Sequence, residues 1–238
     1  MSIAEKFEVI ADAVYDKGIA NRDEFIWNAF TDSGSRVNYH NAFQYSNWSG
    51  YKFIKPVKPT GYISQMFYSC QNMTSLPENL DFSEIATASS NADTYTYRRS
   101  VFAYCNKLEV IPDLNMRAIG GIEQWFQYSR VLHTIELIRV HRNTIYDGAF
   151  ISCNSLTEIR FDGEIGQNIS FADSPKLSVA SIVNIIEHLS DSQSATLTLK
   201  TAAKENMSFP YTSPQTNVTY NSWDELVATK SAWTISLA

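Results

Sequence analysis

The sequence is poor in the patterns that announce a reaction. It has no CxxC, no HExxH, no G-x-S-x-G and no glycine-rich phosphate loop. Gly120-Gly121 is an isolated pair, and Gly163 and Gly166 lie in one connection, so the nine glycines read as turn residues. Charge is sparse, at 18% of residues, and the net charge of −6 disfavours a nucleic-acid partner. No apolar run approaches the roughly 20 residues that span a bilayer, so membrane insertion is not expected. The opening MSIAEKFEVIADAVYDKG carries Glu5, Glu8 and Asp12 where a secretory signal needs an unbroken apolar stretch. Three cysteines are an odd number and cannot complete a disulfide framework. His133 and His141 lack metal-ligand spacing and fall on different sides of a repeated unit, so no metal or other cofactor is expected. The carboxylates are scattered, and Cys153 shares its position with serines, so no catalytic residue is assigned.

What the sequence does contain is a repeat. Phe43, Phe67, Phe102, Phe126, Phe150 and Phe171 follow one another at intervals of 24, 35, 24, 24 and 21 residues. Three residues after each stands Ser46, Cys70, Cys105, Ser129, Cys153 or Ser174, so every cysteine occupies one repeat position. Small, buried, free thiols are the consequence. Four copies read MFYSCQNMTSLPENL, VFAYCNKLEVIPDLN, WFQYSRVLHTIELIR and AFISCNSLTEIRFDG. Apolar residues recur six after the Phe (Met73, Leu108, Leu132, Leu156) and nine after it (Leu76, Ile111, Ile135, Ile159). A period in the twenties predicts a solenoid, with a short strand between those two apolar positions and parallel pairing of successive copies. The Phe fills the layer between turns, and the Ser or Cys lets the backbone turn tightly.

This gives three regions. Residues 1–41 form a helical N-terminal cap. Ser2 and Glu5 make a capping box for a helix over 2–17, with Ile3, Phe7, Ile10 and Val14 on one face, and a second helix covers 24–30. Residues 42–171 carry the repeats, with degenerate first and last copies. The 35-residue interval holds 11 extra residues within 81–99, read as a projecting loop. Residues 172–238 form an α/β C-terminal cap. It has a helix over 179–189, a strand over 195–200, a polar connection over 208–219, a helix capped by Ser222 and Glu225, and a closing strand over 233–237.

Candidate binding residues follow from the repeat. Tyr45, Tyr104 and Tyr128 sit two residues after their Phe and align across copies. Glu109, His133 and Glu158 lie between the core positions of successive strands, and Tyr95, Tyr97, Arg98 and Arg99 end the inserted loop. Tyrosine and arginine are common interface anchors. The plainer alternative packs the tyrosines against the body and leaves the arginines solvated.

The pattern A-F-x-x-C-x-x-L-x-x-I, present as AFISCNSLTEI and VFAYCNKLEVI, resembles the BspA-like, or Treponema pallidum type, leucine-rich repeats over roughly residues 42–180. The resemblance implies a right-handed leucine-rich-repeat coil of short parallel strands. It also implies a setting among bacterial surface and attachment proteins, protist surface proteins, or phage and prophage products. The flanks MSIAEKFEVIADAVYDKG and SWDELVATKSAWTISLA resemble those of phage- and prophage-encoded members. The expected function is therefore a non-enzymatic phage or prophage virion protein, tail- or fibre-associated and engaged in host attachment. Its expected partners are other virion proteins or a host-surface protein or glycan, with homo-oligomerisation open and the virion as its location. The alternatives are a bacterial cell-surface adhesin and a cytoplasmic protein-interaction scaffold.

Overall fold

The computed structural model describes residues 41–46, 63–76, 80, 98–115 and 120–238. The expected helices over 2–17 and 24–30, the loop over 81–97 and its Tyr95 and Tyr97 lie outside the described residues.

The chain is mixed α/β, with short parallel strands gathered in small sheets. The first sheet holds β1 (Val110–Ile111), β2 (Leu114–Asn115), β3 (Thr134–Arg139) and β4 (Glu158–Asp162). Both β1 and β2 pair parallel with β3, and β3 pairs parallel with β4. The register Val110↔Thr134↔Glu158 and Ile111↔Ile135↔Ile159 places the repeated isoleucines opposite one another. One extra residue of β3 bulges between Ile135 and Ile138. The second sheet is also parallel and runs β5 (Ile169–Phe171), β6 (Thr196–Leu199), β9 (Thr234–Leu237). Helix α1 (Val179–Glu187) packs on β4; α2 (Thr201–Glu205) and α3 (Trp223–Ala228) follow.

The six repeat phenylalanines form one continuous stack. Successive ring centroids are 5.1, 5.6, 6.1, 5.8 and 4.6 Å apart, with planes within 23° of parallel. All six are fully or almost fully buried. Near-parallel rings at this distance are offset, the arrangement aromatic quadrupoles favour.

The Ser/Cys position has a more specific role than permitting a turn. From Cys70 onward, each side chain donates to a backbone carbonyl of the preceding unit. Cys70 Sγ donates to Phe43 O at 2.9 Å and Cys105 Sγ to Phe67 O at 3.2 Å. Ser129 Oγ reaches Phe102 O at 3.1 Å, and Cys153 Sγ reaches Phe126 O at 3.1 Å. Ser174 Oγ instead reaches Cys153 O at 3.3 Å. Serine and cysteine interchange because both carry a donor on a one-carbon stem. The three thiols are free and buried.

The strands start later than the repeat pattern predicts. Leu108, Leu132 and Leu156 still belong to the turn, because their N–H groups bond to the carbonyls of Cys105, Ser129 and Cys153. Pairing begins two residues further on, and β3 and β4 run beyond the expected ends at Ile135 and Ile159. Met73–Leu76 is not a strand. Gly163 closes the turn after β4 at φ +104°, where a Cβ would overlap the Val140 carbonyl.

The far edge of β4 is covered by side chains rather than by another strand. Ser181 Oγ accepts from Ile159 N at 2.9 Å and Asn184 Oδ1 accepts from Phe161 N at 2.7 Å, both from α1. Side-chain oxygens thus occupy the edge that a further strand would take. The helix itself is capped by Ser178, whose Oγ accepts from Ser181 N.

The C-terminal expectations hold for α1, β6, α3 and β9 with ends shifted by at most two residues. Ser222 caps α3 and Glu225 reaches back, but its carboxylate accepts from Asn221 N rather than from the cap residue. The stretch 208–219 is not merely a connection. It contributes β7 (Tyr211–Thr212), paired antiparallel with β8 (Thr219–Tyr220). Glu187 of α1 holds this hairpin, accepting from Ser213 Oγ, Thr216 Oγ1 and Tyr220 OH. No helix among the described residues is long and apolar enough to cross a membrane.

Candidate functional site

The repeat builds a rigid corner on either side of each of the first five repeat phenylalanines, Phe43 to Phe150. Residues two before and two after each adopt left-handed backbone. The pairs are Asn41 and Tyr45, Gln65 and Ser69, Ser100 and Tyr104, Gln124 and Tyr128, and Gly148 and Ser152, all with φ between 57° and 65°. Such a conformation costs a non-glycine residue roughly 1–2 kcal/mol. It is held because the N–H groups at these corners reach the next unit. Tyr45 N donates to Tyr68 O at 2.9 Å, Ser69 N to Ala103 O, Tyr104 N to Gln127 O and Tyr128 N to Ile151 O, each at 2.8 Å. The last corner ends on a side chain, with Ser152 N donating to Asp173 Oδ2 at 2.8 Å.

These corners place tyrosines in a row across four successive units. Tyr45 and Tyr68 meet edge to face with centroids 5.7 Å apart. Tyr68 and Tyr104 are 5.2 Å apart and tilted, and Tyr104 and Tyr128 stack at 4.7 Å. Tyr45 is 56% exposed and the other three are half-buried. Burial, then the neighbouring Tyr104 and Tyr45, push the Tyr68 phenol above its ordinary value. The row ends beside Arg130, whose guanidinium lies 5.9 Å from the Tyr128 ring centroid. A groove of about 390 Å³ opens there, lined by Tyr104, Asn106, Tyr128, Arg130 and Val131.

The structure therefore brings together Tyr45, Tyr104 and Tyr128 and adds Tyr68, which sequence reasoning missed. Tyr68 stands one residue after its Phe rather than two, because Ser69 takes the left-handed corner. Arg130 and Asn106 were also missed. Both stand four residues after a repeat Phe, a shared position that could have pointed to them.

The strand candidates do not form one cluster. Glu109 and His133 face each other at 4.0 Å, and His133 Nδ1 lies 2.9 Å from Thr134 Oγ1. Glu158 is one register position away, opposite Thr134, and its carboxylate accepts from Ser178 and Ser181 at the start of α1. Nearby, Arg139 pairs with both Asp113 and Asp162. The Arg139 hydrogen bond holds the Asp113 carboxyl below its usual range.

Arg98 is not at the surface. It occupies a repeat position filled elsewhere by Ile63, Ile122 and Tyr146, and it is 6% exposed. Its guanidinium packs on Gly120, where any side chain would crowd it, and its Nε has no hydrogen-bond partner. Burial lowers its pKa, opposed by Glu123. Glu123 is itself buried against Gly121, and burial raises its pKa. The Gly120-Gly121 pair thus makes room for two interior charged side chains. Arg99 Nε donates to Gln124 Oε1.

His133 and His141 stay apart, and His141 Nδ1 accepts from Asn143 N. Among the described residues no group of three or more His, Cys, Asp or Glu side chains is placed to hold a metal ion. Burial raises the thiols of Cys105 and Cys153, which keeps them protonated. No protein-family model, no curated protein and no solved structure matches the chain.

Proposed function

We propose that this is a non-enzymatic phage or prophage virion protein, tail- or fibre-associated, that serves host attachment through its tyrosine row. The observation that carries the binding part is the row itself. Four tyrosines from four successive units stand at the surface on a backbone fixed by inter-unit hydrogen bonds. Pre-organised, partly exposed aromatics bind with little loss of side-chain freedom. The likeness of the repeats and flanks to phage-encoded leucine-rich-repeat proteins motivates the virion setting.

The same reading takes the units as successive turns of one right-handed leucine-rich-repeat solenoid. Its support is the 24-residue parallel register Val110↔Thr134↔Glu158 and the unbroken phenylalanine stack. Peptides of the protein are expected in purified particles, and the purified chain is expected to coat host cells. Tyr128→Ala should abolish the coating while leaving the melting temperature near wild type. Absence from particles together with no cell binding would sink the proposal.

A further inference from the structure

We infer that the groove beside Tyr104 and Tyr128 takes a carboxylate-bearing saccharide, with Arg130 as the carboxylate partner; this rests on the attachment reading above. The lining fits a sugar better than an apolar peptide. It offers two phenol rings, a guanidinium and the Asn106 amide, and its one aliphatic side chain is Val131. Aromatic faces pack against sugar C–H groups, while phenol and amide groups exchange hydrogen bonds with hydroxyls.

The charge is local and positive on a chain whose net charge is −6. Arg130 is exposed, and among the described residues no carboxylate pairs with it. It contrasts with Arg139, which is held by two aspartates on the strand face. Lys107 does not line the groove. It stands at the repeat position of Val131, one unit earlier, with its ammonium 2.9 Å from Asn72 Oδ1. A planar guanidinium with unused donors matches a carboxylate in two-point fashion. Tyr128 is stacked on Tyr104 and has Arg130 beside its ring, so a sugar lies against the exposed edges of the row and presents its acid group to Arg130.

The test uses the full chain and four immobilised probes. These are oligogalacturonate, its carboxyl-reduced counterpart, oligosialic acid, and an acidic proline-rich peptide. Wild type should bind at least one carboxylated sugar about tenfold more tightly than the reduced sugar. Arg130→Gln should erase that preference, and Tyr128→Ala should weaken binding to every sugar. A uronic or a sialic source is read from which arm binds, and either supports the inference. Equal affinity for the reduced and carboxylated sugars, an Arg130→Gln variant that keeps the preference, no saccharide binding, or a preference for the peptide would each overturn it. Circular dichroism confirms that the variants fold. Tyr128-dependent attachment to host cells without any saccharide binding would refute this inference alone and leave the attachment reading standing.

Discussion

At the scale of single residues, the repeat is a set of hydrogen-bond obligations as much as a hydrophobic pattern. Ser129 is fully buried, and its hydroxyl reaches the Phe102 carbonyl at 3.1 Å, which also receives the Cys105 N–H at 3.4 Å. The carbonyl keeps the Cys105 N–H, so losing the hydroxyl costs about what one bond contributes net. Ser129→Ala should therefore lower stability by about 0.5–1.5 kcal/mol in urea unfolding. Ser129→Cys, which restores a donor on the same stem, should recover most of it. An alanine variant as stable as wild type would show that the position needs only small size. The Phe and Ser/Cys columns were legible because the same side-chain types recur. The left-handed corners were not, because Asn, Tyr, Gln, Ser and Gly share them and the inter-unit hydrogen bonds decide the conformation. This also explains the partial legibility of the binding row. Tyr104 and Tyr128 stand at a corner, whereas Tyr68 reaches the same row from one residue earlier.

At the scale of elements, α1 does what a further strand would do. Its Ser181 and Asn184 accept the outward N–H groups of Ile159 and Phe161 on the C-terminal side of β4. Asn184 is 5% exposed and also donates to Gln215 Oε1 at 2.7 Å, so the helix ties the sheet to the hairpin region. Asn184→Ala should cost about 1–3 kcal/mol, since a buried N–H loses its partner. The Phe161 amide should lose protection from hydrogen exchange beyond the global destabilisation, while β1 should follow the global change only. Unchanged Phe161 protection would mean that a neighbouring group or water replaces the amide. The helix itself was legible from Ile182, Val183, Ile185, Ile186 and Leu189, an apolar face at helical spacing. The β7–β8 hairpin was not. Pro210 and Pro214 mark its stretch as a connection, and its partner Glu187 lies more than 20 residues away in sequence. Propensity has no access to such a partner.

At the scale of the molecule, the described core is one contiguous cluster running from Ala42 to Trp233. Several connections cross the boundary between the repeats and the C-terminal region, and two of them join the cores most directly. Phe171 is both the last ring of the stack, 4.6 Å from Phe150, and the end of β5 in the second sheet. Helix α1 covers β4 through Ser181 and Asn184. An array in which each unit touched only its neighbours could lose one end while the other stayed folded. These connections oppose that, because opening the repeats would strip β4 from α1 and expose Phe171. Residues 98–171 and 172–238 should therefore lose hydrogen-exchange protection at one common urea midpoint. Phe126→Ala, a buried large-to-small change costing about 3–5 kcal/mol, should lower both midpoints together. If 172–238 kept its protection while 98–171 opened, the C-terminal region would be an independent unit, and the shared phenylalanine and the helix contacts would be too weak to couple the two.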